Sequence, residues 1–194
     1  MPAIERHPRD SRLRYTKDCL YDSFLQFLAE KPVNDITVIE VCERAGVSRK
    51  TFYKYYSDQF ALLLAMQNDL FEDYKDLLDG KPADITTLTP ELVAFVDQNR
   101  VLVKAAFANR GEGNFVDRVL EDLFARYHAA WEAANPKLSP SDVEFLFHFV
   151  VSGLFGIVRH WLMDHPQLSC QEITQRTATL LHVADPHRSA AFTG

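Results

Sequence analysis

The stretch Glu43–Asp58 reads ERAGVSRKTFYKYYSD. Gly46 separates two short segments of helical periodicity, and Ser48 stands where the second would take its N-cap. Upstream, Thr37 and Glu40 have capping-box spacing, which opens a short helix that Gly46 interrupts. In the second segment Phe52 and Tyr56 lie four positions apart and share a face. With Val47 they can pack on Val38, Val41 and Cys42. The opposite face then carries Arg49, Lys50, Tyr53 and Lys54. Two short helices joined at a glycine, behind a longer helix, match the helix-turn-helix pattern. Arginine and lysine reach guanine edges and phosphates, and threonine and tyrosine hydroxyls reach phosphate oxygens. An ordinary helical hairpin with a solvated charged face would account for the turn alone. The capping threonine, the A-G-V-S turn and the aromatic-basic face together point to DNA, with the second helix in the major groove.

The rest of the chain is compatible with that reading. Its 194 residues carry a formal net charge of −6, but unevenly. The first 60 hold ten Lys/Arg against nine Asp/Glu, and the remainder eleven against eighteen, so the acidity belongs to the C-terminal two-thirds. Five basic and two acidic residues in the first seventeen let the front end approach a polyanion. With 47% apolar residues a core can be buried. Cys19, Cys42 and Cys170 are far apart and lack C-x-x-C spacing, which argues against a disulfide framework or zinc knuckle and for a reducing cytoplasm. No basic-then-apolar segment opens the chain. The longest apolar run, Phe145–Val158, is shorter than a bilayer crossing needs, so no membrane is expected.

Apolar residues recur at helical spacing nearly throughout, and the chain is expected to be all-α with about nine helices. Leu20, Phe24, Phe27 and Leu28 stripe a first helix from about Thr16 to Glu30, which Pro32 ends. Ser57-Asp58 opens a long helix to about Asp79, and Asp79–Asp84 reads as a linker. Thr89, followed by Pro90, reads as the N-cap of one or two helices to Ala108. Loops at Asn109–Asn114 and Asn135–Asp142 bound a helix at Phe115–Ala134. A long helix to Asp164 and a last one to about Ala184 follow, and the tail from Asp185 should fray. Two domains are expected: residues 1–60 for DNA, and 61–194 for effector binding and dimerisation.

The segment DITVIEVCERAGVSRKTFYKYYSDQFALL resembles the N-terminal signature of the TetR family of bacterial transcriptional regulators, and TKDCLYDSFLQFLAEKP resembles that family's first helix. The likeness covers roughly residues 12–65. More loosely, VVSGLFGIVRHWLMDHPQLSCQEI resembles a TetR subgroup that includes dihydroxyacetone kinase operon activators. The resemblance implies a homodimer on a palindromic double-stranded DNA operator, with a small-molecule effector pocket in the C-terminal half. It places Arg49 and Lys50 among base-contacting positions, and Thr37, Thr51, Tyr53 and Tyr55 among phosphate contacts. Ser48 and Lys54 complete the expected DNA-binding set. One departure stands out: the lysine usual at the start of the fourth helix is Gln59 here, beside Asp58. Two readings follow. The first is an effector-responsive dimeric regulator, expected to be a repressor. The second keeps the fold but binds a protein partner as a coactivator, with weak or no operator binding.

In the C-terminal half, Gly153 and Gly156 interrupt an apolar helix, where close approach of another helix would justify them. Together with Phe149, Ile157, His160 and Trp161 they form the expected dimer face, joined by the last helix. Effector-pocket candidates are the aromatic Phe95, Phe107, Phe124, Tyr127, Trp131 and Phe147 with the polar Asn99, His128, His148 and Arg159. Taken singly, each is more ordinarily a packing residue. His160, Asp164 and His165 suit a polar helix end better than a metal site, so no metal is expected. Neither is a cofactor or an enzymatic activity: G-x-S-x-G, P-loop, H-E-x-x-H and dinucleotide-turn motifs are absent from the sequence.

Overall fold

The computed structural model describes residues 8–81, 85–109, 114–134 and 136–184. Regular structure there is entirely helical. The helices are α1 (Pro8–Glu30), α2 (Val38–Ala45), α3 (Arg49–Phe52), α4 (Gln59–Leu78), α5 (Ile85–Gln98), α6 (Arg100–Ala108), α7 (Phe115–Ala134), α8 (Pro140–Asp164) and α9 (Cys170–Ala184), with a 3-10 turn at Val33–Asp35. The expected tail from Asp185, most of the loop at Asn109–Asn114, part of the linker before Ile85 and the first residues of the basic N-terminus lie outside the described residues.

The chain divides into two compact units, Met1–Leu70 and Phe71–Gly194. The division falls inside α4 rather than after residue 60. Polar ties to α1 give the reason: Tyr21 Oη donates to Asp69 Oδ2 at 2.9 Å, and Lys17 Nζ lies 2.7 Å from the same oxygen. In the N-terminal unit α1 packs on α2, and α2 on α3. Leu20, Phe24, Val41 and Phe52 are completely buried, and Phe27 nearly so. The stripe read from the sequence therefore forms this core, except that Leu28 is half-buried. Helix α1 begins at Pro8, ahead of the expected Thr16.

In the C-terminal unit α5 packs on α9, and α8 touches α6, α7 and α9. Two sequence readings change here. Thr89 is not an N-cap: α5 starts at Ile85 and runs through Pro90, and Thr89 is buried. Pro90 is the sixth residue of α5, beyond the first turn where proline fits without loss, and the helix nonetheless continues through it. The break comes at Asn99, where α6 begins, and Asn99 Nδ2 donates to Phe95 O at 2.9 Å. Helix α8 is opened by Ser139, Pro140 and Asp142, which form a capping box. By length and composition α8 is long and apolar enough to cross a membrane, contrary to the expectation from the Phe145–Val158 run. Within its unit it is a packed helix, with Val143, Phe147, Val150, Val151, Trp161 and Leu162 buried.

Candidate nucleic-acid interface and C-terminal cavity

Gly46 makes the turn. It sits in the left-handed region (φ 64°, ψ 28°) as the C-cap of α2, and its N–H donates to Cys42 O and Glu43 O. A side chain there would strain the backbone, which is why glycine suits the position. Two residues on, Ser48 caps α3: Thr51 N donates to Ser48 Oγ at 3.1 Å, and the two hydroxyls lie 2.8 Å apart. A four-residue helix cannot stand alone. Phe52 anchors it, completely buried, with the Tyr53 and Tyr56 rings each 5.6 Å away.

The anchor fixes what faces outward. Ser48, Arg49, Lys50, Tyr53, Lys54 and Tyr55 are exposed, and Thr51 is half-buried. Neither Arg49 nor Lys50 pairs with a carboxylate among the described residues. The Lys54 ammonium lies 5.2 Å from the Tyr55 ring centre. Of the eight residues read as DNA-binding, Ser48 caps α3, Arg49, Lys50 and Thr51 lie on it, and Thr37 caps α2. Tyr53, Lys54 and Tyr55 follow α3 in the next turn, whereas the sequence reading places Tyr53 and Lys54 on the helix itself. Thr37 and Ser48 spend part of their hydrogen-bonding capacity on caps, so their outward contribution is smaller than that of the free basic pair. Asp58 also has a structural task. Its Oδ1 accepts from Ala61 N at 2.8 Å, capping α4. Its negative charge beside Gln59 is accounted for by that cap.

The capping box of α2 is tied to the chain before it. Glu40 accepts from Thr37 N at 2.9 Å and from Lys31 Nζ at 2.7 Å. The Lys31 ammonium, with the Thr37 hydroxyl and N–H, lowers the Glu40 carboxyl from 4.5 to about 2. A carboxyl lowered on folding stabilises the fold above its unfolded value and loses that contribution as pH falls. The thermal midpoint should therefore drop between pH 4.5 and about 2. Glu40→Gln should flatten part of the drop. An unchanged pH profile in that variant would show that the box contributes nothing.

The C-terminal unit holds a partly open cavity of about 100 Å³. Its walls come from α5 (Thr89, Phe95, Val96), α6 (Val103, Phe107), α7 (Phe115, Val119, Leu123), α8 (Val151, Leu154, Phe155, Val158), Tyr74 of α4 and Thr177 of α9. Of the ten residues read as pocket candidates, only Phe95 and Phe107 line it. Asn99 instead serves the α5–α6 break. Phe124, Tyr127, His128, Trp131, Phe147 and His148 gather at a seam between α7 and α8: Phe124 lies 4.6 Å from His128, stacks on His148 at 5.7 Å and meets Phe147 edge-on at 5.2 Å. A cleft among Tyr127, Trp131 and Phe147 has no room for a water molecule. Arg159 is exposed and does not line the cavity.

The residues read as a dimer face divide as well. Phe149, Gly153, Gly156 and His160 form an exposed stripe on α8, joined by Phe145, and Ile157 is half-buried beside it. Trp161 leaves the stripe: it is 1% exposed, and its Nε1 donates to Leu168 O at 2.9 Å. At the end of the stripe His160 Nδ1 lies 2.8 Å from Asp164 Oδ2.

An all-α chain with a helix-turn-helix and a free basic face defines a class of DNA-binding proteins, and comparison narrows it. The family model described as bacterial regulatory proteins, tetR family, matches residues 20–66, and that described as transcriptional regulator C-terminal region matches residues 84–183. The chain belongs to the TetR family of bacterial regulatory proteins. It is 25% identical over 173 residues to an uncharacterized HTH-type transcriptional regulator, YxbF, of Bacillus subtilis, covering 82% of this chain. The chain spans 43% of the length of that relative. Among solved structures, a TetR transcriptional regulator from Streptococcus agalactiae matches with a TM-score of 0.64 at 22% identity, over 89% of this chain and 97% of that one. The dihydroxyacetone kinase operon activator DhaS matches with a TM-score of 0.60 at 18% identity, over 87% and 94%. At these identities the structures share the fold.

Proposed function

We propose that two copies of the chain pair through α8 and α9, dock α3 of each copy into successive major grooves of a near-palindromic operator, and repress transcription until a small molecule fills the C-terminal cavity. The observation that carries this is the pair Arg49 and Lys50, exposed, without a carboxylate partner among the described residues, and held on one face by the buried Phe52. Unpaired basic groups held outward on a capped, anchored helix are free to meet phosphates and base edges. Such a regulator works in the cytoplasm. The coactivator reading loses part of its support, because Asp58 is occupied as a cap.

Selection from random duplexes should enrich a dyad-symmetric site with half-sites one helical turn apart, roughly 34–36 Å. A selection that enriched no such site would favour the coactivator. The substitutions should separate by kind. Arg49→Ala or Lys50→Ala should relax base preference at particular positions, at about 1–3 kcal/mol for a bidentate contact. Tyr55→Phe should weaken all sequences alike, because phosphates carry no base identity. If only Tyr55→Phe changed the preferred sequence, these roles would be reversed.

A further inference from the structure

We propose that the C-terminal cavity takes an uncharged, largely hydrocarbon molecule with a single hydrogen-bonding oxygen, and that the Thr177 hydroxyl receives that oxygen. This rests on reading the cavity as the effector site and names the effector's chemistry. Among the described residues the lining consists of Tyr, Thr, Leu, Val and Phe residues. Among the described residues it offers no counter-ion, and an unpaired charge moved from water into such walls is strongly disfavoured. Arg159, the cation read from the sequence as a candidate, does not line the cavity.

The polar groups of the wall are few, and they differ in what they do. Tyr74 Oη donates to Asp122 Oδ2 at 3.1 Å, and burial pushes its phenol well above the usual tyrosine range, so it stays protonated and occupied. Thr89 is also engaged. Thr177 is 3% exposed, and its Oγ1 has no hydrogen-bond partner in the structure. A threonine inside a helix ordinarily returns its hydroxyl to the carbonyl four residues back. Thr179, in the same helix, does so, donating to Gln175 O at 2.9 Å. Thr177 does not, although it stands between Ile173 and Leu181 on the buried stripe of α9. A buried hydroxyl left unpaired beside an apolar void is one that a ligand oxygen can satisfy. The size of the void sets the rest. At about 100 Å³ it is of the same order as the roughly 150 Å³ apolar cavity known to hold benzene, which limits the ligand to a single small ring or a short chain.

The test uses phenol, benzene and benzoate, titrated calorimetrically into the full chain and into Thr177→Val and Thr177→Ser. Phenol should bind the unaltered protein more tightly than benzene, and benzoate should not bind. Thr177→Val keeps the shape and removes the hydroxyl. It should lower phenol affinity about 3- to 10-fold and leave benzene affinity unchanged, which also reports that the cavity is intact. Thr177→Ser should retain phenol binding. The proposal is overturned if phenol and benzene bind alike, if Thr177→Val keeps the phenol preference, if benzoate binds as well as phenol, or if none binds. A separate measurement isolates the regulatory reading: affinity for a selected duplex with and without phenol. Thr177-dependent binding of phenol that left DNA affinity unchanged would uphold the cavity chemistry and sink the cavity's role as effector site.

Discussion

Phe149→Glu should convert the protein to monomers in sedimentation at concentrations where the unaltered chain pairs, with no loss of helical content. Phe149 is 71% exposed and Phe145 75% exposed, large side chains that a lone chain leaves in water. Replacing an exposed side chain costs the fold of its own chain little. In a two-fold interface the change occurs twice and faces itself. If each copy forfeits about 2 kcal/mol, as a central interface residue does, the pair loses about 4 kcal/mol, or roughly 10³-fold in the dissociation constant. Gly153→Leu sharpens the test. A Cβ added at Gly153 meets nothing within 4 Å in its own chain. Leucine should therefore stabilise α8 in the monomer through its better helix propensity while forcing paired helices apart. Opposite signs for monomer stability and dimerisation are the expected signature. A Gly153→Leu protein that still sedimented as a dimer would show that the α8 stripe is not the interface.

The N-terminal half was legible in the sequence because local rules decide it. Thr37 with Glu40, Gly46, Ser48 and Asp58 are each a cap or a turn whose chemistry acts within three or four residues, and each sits where its spacing implies. The C-terminal half was read less well, because tertiary packing decides it. Phe124, Tyr127, Trp131 and Phe147 share their residue types with a ligand pocket, yet they fill the α7–α8 seam, and nothing in their helical spacing separates the two fates. Trp161 has the periodicity of the exposed α8 stripe but turns inward to bond Leu168 O. The cavity walls at Leu154, Phe155 and Val158 were passed over because these apolar residues carry no polar signal. Thr177 did carry one: a threonine at the centre of the i, i+4 stripe Ile173, Thr177, Leu181 is a polar residue in a core register.

The largest expected loss from a single side chain lies at Phe52. It is 0% exposed and joins α3 to the core that α1 and α2 build. Truncating a fully buried phenylalanine to alanine costs about 3–5 kcal/mol. A unit of this size has little more than that to lose. Phe52→Ala should therefore melt the helix-turn-helix at room temperature. Amide exchange in α1–α3 should rise roughly 10²- to 10⁴-fold, and specific DNA binding should disappear even though Arg49 and Lys50 remain. Tyr53→Ala is the control, since Tyr53 is 57% exposed and adjoins the same helix. It should change stability far less than Phe52→Ala, by about 0.5–1.5 kcal/mol through the lost edge-on contact with Phe52, and weaken DNA binding only through the contacts of its own lost side chain. The comparison separates holding the basic pair in place from touching the nucleic acid. If Phe52→Ala left exchange in α1–α3 unchanged, a helix of four residues would be held by its Ser48 cap alone, and the anchoring role assigned to Phe52 would be wrong.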